Sequence, residues 1–301
     1  TRDGNAYFAV EGGETVKTEL PFLHKTAIVS KALIMPKNDT NALRVRNFLF
    51  SGDDKKILIY TNTKKVWRYD TRGDYWLLNL SDNSLKQVGK SHHASSLMFA
   101  KFSPDGNKVA YVSEYNLYVE DIANGKTTQL TTGGSRKLIN GTFDWAYEEE
   151  FFCRDGFRWS PDSKKIAYWQ INASKTHDHL MINNTDSIYP FVVPVEYPVA
   201  GEAPSPFKVG VVDIATAKTK WMDIPTDPVL QSYVTRMEWA ANSSQLIIQH
   251  VNRKQNESDI MLCDIATGAS NSIYKEKDAA WIDFIALWDQ DYSYGGWDWL
   301  N

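Results

Sequence analysis

The stretches FSPDGNKVAYV (residues 102–112) and WSPDSKKIAYW (residues 159–169) share one pattern. An aromatic residue is followed by a polar turn and then by a run of alternating apolar residues. Asp with Gly, Pro or Ser is turn chemistry, and the alternation predicts a strand with one buried face. FSGDDKKILIY from Phe50 and WAANSSQLIIQ from Trp239 repeat the pattern. A second unit follows each copy: YWLLNLSDNSL, LYVEDIANGKT, VGVVDIATAKT and IMLCDIATGAS. In these an apolar strand runs into Asp-Ile or Asn-Leu and a tight turn, where Gly125 and Gly268 are suited to positive φ. Two hairpins per copy give four antiparallel strands, and a four-stranded repeat of about 50 residues is a propeller blade. The predicted fold is all-β, a β-propeller of four-stranded antiparallel blades.

The spacing of the copies is uneven, and Trp239 comes late. The excess lies in residues 172–207, a Pro- and Asn-rich stretch that reads as an extended arm leaving its blade. Four full copies with partial ones at each end do not close a ring. The expectation is that residues 1–301 form one partial propeller, either a truncated ring or one whose remaining blades lie beyond residue 301.

With 43% hydrophobic and 23% charged residues, the chain has the composition of a soluble globular protein with a core. It has no apolar run of transmembrane length. Residues 1–10 lack the basic-then-apolar order of a signal peptide. The net charge of −4 argues against nucleic-acid binding. Cys153 and Cys263 lack metal-ligand spacing and read as ordinary core thiols, able to make at most one disulfide. His92-His93 and His177-x-His179 have no companion ligands at useful spacing and read as loop or arm residues. Asn-x-Ser/Thr triplets start at Asn38, Asn79, Asn140, Asn172, Asn183, Asn242 and Asn256, a weak pointer to an extracytoplasmic surface.

The chemistry concentrates in FDWAYEEEFF (residues 143–152), where three glutamates stand between aromatic residues. Like charges gathered this way are either a solvated face or a site for a cation. Asp144 stands where a helix N-cap is wanted. Trp145 and Tyr147 read as packing residues, and Glu148 as a structural residue pairing with a nearby base.

DWAYEEEFF, followed by RDGFRWSPDSKKIAYWQ and VEYPVAGEAPSPFKVGVVD, resembles the propeller domain of the dipeptidyl peptidase IV family in the prolyl oligopeptidase superfamily, bacterial members above all. KKVWRYDTRGDYWLLNL upstream fits as well, with Trp67-Arg68 at the family's Trp-Arg position. The resemblance runs from near the start to about residue 280. It implies an eight-bladed propeller capping an α/β-hydrolase domain, which would lie beyond residue 301. The implied activity is that of a serine exopeptidase releasing X-Pro or X-Ala dipeptides from peptide N-termini, without a cofactor. It further implies that Glu149 and Glu150, on a short projecting helix, hold the substrate ammonium, and that Arg68 reaches a peptide carbonyl nearby. An arm like that at 172–207 is a dimer contact in the family. A periplasmic or secreted location follows from the same resemblance.

Ser293-Tyr294-Gly295-Gly296 copies half of the family's nucleophile motif, but Asp291 stands where the first glycine of the elbow belongs. No histidine follows it, so Ser293 reads as part of a Gly-rich loop. The chain alone is therefore expected to be inactive. The alternative is a non-catalytic propeller of the same family acting as a protein-interaction module. A third reading, an unrelated binding propeller, requires the glutamate run to be plain exposed surface.

Overall fold

The computed structural model describes residues 1 and 3–283; Ser293 and its neighbours lie outside the described residues. The chain divides into two compact units, one of residues 1–113 and 118–128, the other of residues 114–117 and from 129 on.

The first unit opens with a three-stranded antiparallel meander, Ala6–Glu11, Glu14–Glu19 and His24–Val29. A four-stranded meander follows, Asn47–Phe50, Lys56–Val66, Tyr69–Asn79 and Ser84–Val88. Leu97–Phe102, Lys108–Ser113, Asn116–Asp121 and Thr127–Gln129 form the next.

The repeated turn has one chemistry. Ser103 Oγ donates to Asp105 Oδ1 at 2.5 Å and accepts from the Lys108 amide at 2.9 Å, while Asp105 accepts from the Asn107 amide. Ser160 with Asp162 and Ser51 with Asp53 repeat these bonds. Each serine and aspartate satisfies backbone amides that the turn would leave orphaned.

The second unit holds two blades. In one, Lys165–Asn172 pairs with Phe207–Asp213, which pairs with Thr219–Trp221. Its first strand comes in two pieces, Leu138–Asn140 and Phe157–Trp159, both paired to Lys165–Asn172. The repeat pattern predicts an ordinary blade here, and the interruption leaves no mark in that pattern. The chain leaves the ladder at Gly141 and returns at Gly156. The neck is closed by Gly156 N–H donating to Gly141 O at 3.1 Å, with Gly141 N–H on Trp169 O and Trp169 N–H on Gly156 O. A Cβ on Gly156 would lie 2.7 Å from Gly141 C and 2.8 Å from Thr142 N, so only glycine allows the two backbones this close.

Residues 173–206 join the second and third strands of the same blade. They include the two-stranded hairpin Asp178–Asn183 with Phe191–Glu196. The other blade is the meander Ser232–Trp239, Gln245–Asn252, Glu257–Asp264 and Ser270–Lys277.

One core joins the two blades of the second unit, with Trp169, Val209, Val234, Met237 and Ile248 fully buried and Trp239 nearly so. Cys153 and Cys263 are free and buried in it. Burial raises both thiols, Cys263 to about 12, which keeps them unreactive. Of the seven triplet asparagines, Asn140 is the buried one. Only 1% of its surface is exposed, and its amide is bonded to Tyr115 O and Gln170 Nε2.

Candidate substrate-binding helix

The excursion between Gly141 and Gly156 carries the helix α1, Trp145–Phe151. Asp144 caps it, its Oδ1 accepting from the Tyr147 amide at 3.1 Å. Phe152, at φ 54°, ends it in the left-handed region, with its amide on Tyr147 O. A helix of two turns is unstable by itself, so packing must hold it. Tyr147 and Phe151, four residues apart, share one face and enter the core. Tyr147 lies 5.3 Å from the Phe143 ring, and Phe151 lies 4.8 Å from Tyr233. The Tyr147 hydroxyl accepts the Val234 amide at 3.3 Å.

That packing fixes the rotation of the helix and so sorts the glutamates. Successive residues point about 100° apart. Glu148 turns inward with Tyr147 and is 5% exposed. Glu149 is half-buried and Glu150 exposed. Burial pushes the Glu148 carboxyl up to about 8; Arg154 opposes the rise and the neighbouring charge of Glu149 adds to it. Glu148 Oε1 has no hydrogen-bond partner among the described residues. Arg154, nearly buried, is thus the base expected near Glu148, and its carbonyl accepts from Thr142 Oγ1 at 2.9 Å.

Tyr233 packs on the core face of the helix, against Tyr147 and Phe151. Burial raises its hydroxyl pKa; Arg253 opposes the rise, and Glu150 and Asp144 add to it. Tyr233 therefore lies within electrostatic reach of both Glu150 and Arg253. Arg253 also donates to the Glu202 carbonyl at 3.1 Å. Arg154, Tyr233 and Arg253 are not among the residues that the sequence singles out. None belongs to a motif, and their nearness to the helix arises from tertiary packing.

Arg68 belongs to the first unit. It is exposed in the two-residue loop between Lys56–Val66 and Tyr69–Asn79, where Trp67 takes φ 53°. The two-residue loop holds it at the tip of a long hairpin, whose strands are bulged near Lys64. Of the histidines, His177 Nδ1 sits 2.7 Å from Glu202 Oε1, and His92 packs edge-on against Tyr118.

Residues 51–292 match the family model described as the dipeptidyl peptidase IV (DPP IV) N-terminal region. Dipeptidyl peptidase 4 of Sus scrofa is 28% identical over 262 residues, covering 83% of this chain and 33% of the relative. Dipeptidyl aminopeptidase B of Saccharomyces cerevisiae is 28% identical over 240 residues, 78% of this chain and 29% of the relative. Inactive dipeptidyl peptidase 10 of Mus musculus is 26% identical over 259 residues, 84% of this chain and 32% of the relative. The chain thus spans about a third of the length of these curated relatives. The crystal structure of Porphyromonas gingivalis dipeptidyl peptidase 4 superposes with a TM-score of 0.85 at 24% identity, covering 94% of this chain and 40% of that one. The shared fold is that of the N-terminal propeller.

Proposed function

The chain belongs to the family of dipeptidyl peptidase IV N-terminal regions, and from that premise we propose that it is the substrate-binding propeller of a serine-type dipeptidyl peptidase. In this reading the longer protein releases X-Pro or X-Ala dipeptides from peptides with a free N-terminus. Glu149 and Glu150 hold the substrate ammonium, and Arg68 engages a carbonyl near the same end. An α/β-hydrolase domain beyond residue 301 brings the nucleophile and its partners, and the propeller belongs to an eight-bladed ring. The protein acts in the periplasm or outside the cell.

The observation that carries the reading is the partition on α1. Its core face is fixed by Tyr147 and Phe151, and two carboxylates remain on the faces turned away from that core. An ammonium has three donors and one charge, so two carboxylates can share it. A single pair at about 4 Å is worth roughly 4 kcal/mol at an effective dielectric near 20, before desolvation. A bound cation also relieves the repulsion between the two acids. Fixing the ammonium fixes which bond reaches the nucleophile, so the clamp counts residues.

The test is cleavage of chromogenic Gly-Pro and Ala-Pro substrates by the full-length protein that carries this chain. Glu149→Ala or Glu150→Ala lowers kcat/KM at least about tenfold, or about 1.4 kcal/mol. Acetylating the substrate N-terminus costs as much. Equal cleavage of free and acetylated substrates rules out the ammonium clamp.

A second reading, a non-catalytic interaction module, is favoured by the similarity to an inactive dipeptidyl peptidase 10. It predicts that the full-length protein leaves both substrates intact.

A further inference from the structure

We propose that Arg136 is a positioning residue for the helix bearing Glu149 and Glu150, acting through the base of the 173–206 arm; the inference rests on the clamp reading above. The Arg136 guanidinium grips both strands of the arm hairpin. Its Nη1 and Nη2 donate to Asp178 Oδ1 and Oδ2 at 3.0 and 2.9 Å on the outgoing strand. Nη1 also donates to Glu196 Oε1 on the returning strand. Lys137 reinforces the joint, with Nζ 2.6 Å from Asp178 Oδ1, 2.8 Å from the Thr176 carbonyl and 3.8 Å from Glu196.

The joint reaches α1 by two routes. One is ionic. Glu196 is buried, and its charge is felt by Asp144, the fully buried helix cap. Burial raises the Asp144 carboxyl, the bond from the Tyr147 amide opposes the rise, and Glu196 adds to it. The other route is aromatic. Tyr197, the next residue after Glu196, has its ring 4.3 Å from Trp145, the first residue of α1. The helix therefore starts against the foot of the arm.

Arg136 ties Glu196 down by a direct hydrogen bond at the foot of the arm. Without it, Glu196 keeps the longer contact to Lys137, 3.8 Å away, beside a second buried carboxyl group, Asp144. Glu196 would then turn outward toward water. That shift disturbs the Trp145–Tyr197 contact of a helix only seven residues long. A displacement of about 1 Å at the clamp is enough to weaken binding.

The experiment compares steady-state cleavage of an Ala-Pro chromogenic substrate by the full-length protein and its Arg136→Gln, Arg136→Gln/Glu196→Gln, Arg136→Lys and Glu149→Ala variants. Arg136→Gln raises KM about tenfold with kcat within about twofold. The double variant, which removes the uncompensated carboxylate, returns KM to within about threefold of the parent. Arg136→Lys keeps the charge but loses the fork, and raises KM about threefold; it carries the test if Arg136→Gln does not fold. A merely structural role lowers kcat through fewer active molecules and leaves KM unchanged, and that result overturns the proposal. So does failure of the double variant to recover. If Glu149→Ala is impaired while KM is unchanged in the Arg136 variants, the positioning role alone falls. If Glu149→Ala also behaves like the parent, the clamp reading has failed and takes this inference with it.

Discussion

A single buried carboxyl, Glu148, sets the pH response expected of the second unit. Its folded-state value of about 8 lies above the ordinary 4.5 because burial disfavours the charge. Between those values the folded chain holds a proton that the unfolded chain has released. This contribution to stability is therefore full below about pH 4.5 and is lost as pH rises through about 8. Glu148→Gln should flatten the decline and stabilise the fold at pH 8 by on the order of 2 kcal/mol. Thermal melts of both proteins between about pH 5 and pH 8 measure it; parallel curves would show that Glu148 does not titrate in that window. The acidic triplet was visible in the sequence as a motif, but its division of labour was not. Adjacent residues on a helix diverge by about 100°, so their fates depend on helix phase. Phase was set by Tyr147 and Phe151 finding the core, and by Val234 on a strand 87 residues away. Arg154 and Arg253 carried no local signal at all.

The elements were legible where local chemistry writes them. Ser-x-Asp turns and the Asp-Ile-Ala turns recur because each hydrogen-bonds its own neighbouring amides, as Asp121, Asp213 and Asp264 do. The interrupted strand was not legible. Leu138–Asn140 and Phe157–Trp159 are three residues each, too short to show a period, and only their shared partner makes them one strand. Closing that strand depends on Gly156. Gly156→Ala forces a methyl against the Gly141 and Thr142 backbone, which cannot yield as a side chain would. We expect a loss of about 2–3 kcal/mol, read as a lower urea midpoint. In the enzyme reading, discrimination against acetylated substrates falls with it. An unchanged midpoint would mean that the neck relaxes freely.

For the molecule as a whole, the arm is the surface that most invites company. Leu180, Ile182, Val192 and Tyr189 are exposed on it, and Ile188 is 95% exposed. We propose that this apolar hairpin docks a second copy of the chain. On that proposal the full-length protein elutes as a dimer on size-exclusion chromatography, and deleting residues 184–190 makes it elute as a monomer. Elution unchanged from the parent would assign the dimer contact elsewhere. The arm was announced by the late arrival of Trp239, since an insertion shows as a lengthened period. Its tie to α1 was not, because Arg136, Asp178 and Glu196 meet only when the chain has folded back on itself.

Phe143, Tyr147 and Phe151 lie in the same core as Trp169 and Tyr233. The segment that would read a peptide's end is thus also mortar between two blades. Drift at those three aromatics would be purged for spoiling the fold before it could alter recognition. On the clamp proposal, Glu149 and Glu150, outside that core, are the positions where evolution or an engineer can retune selectivity without unbuilding the wall.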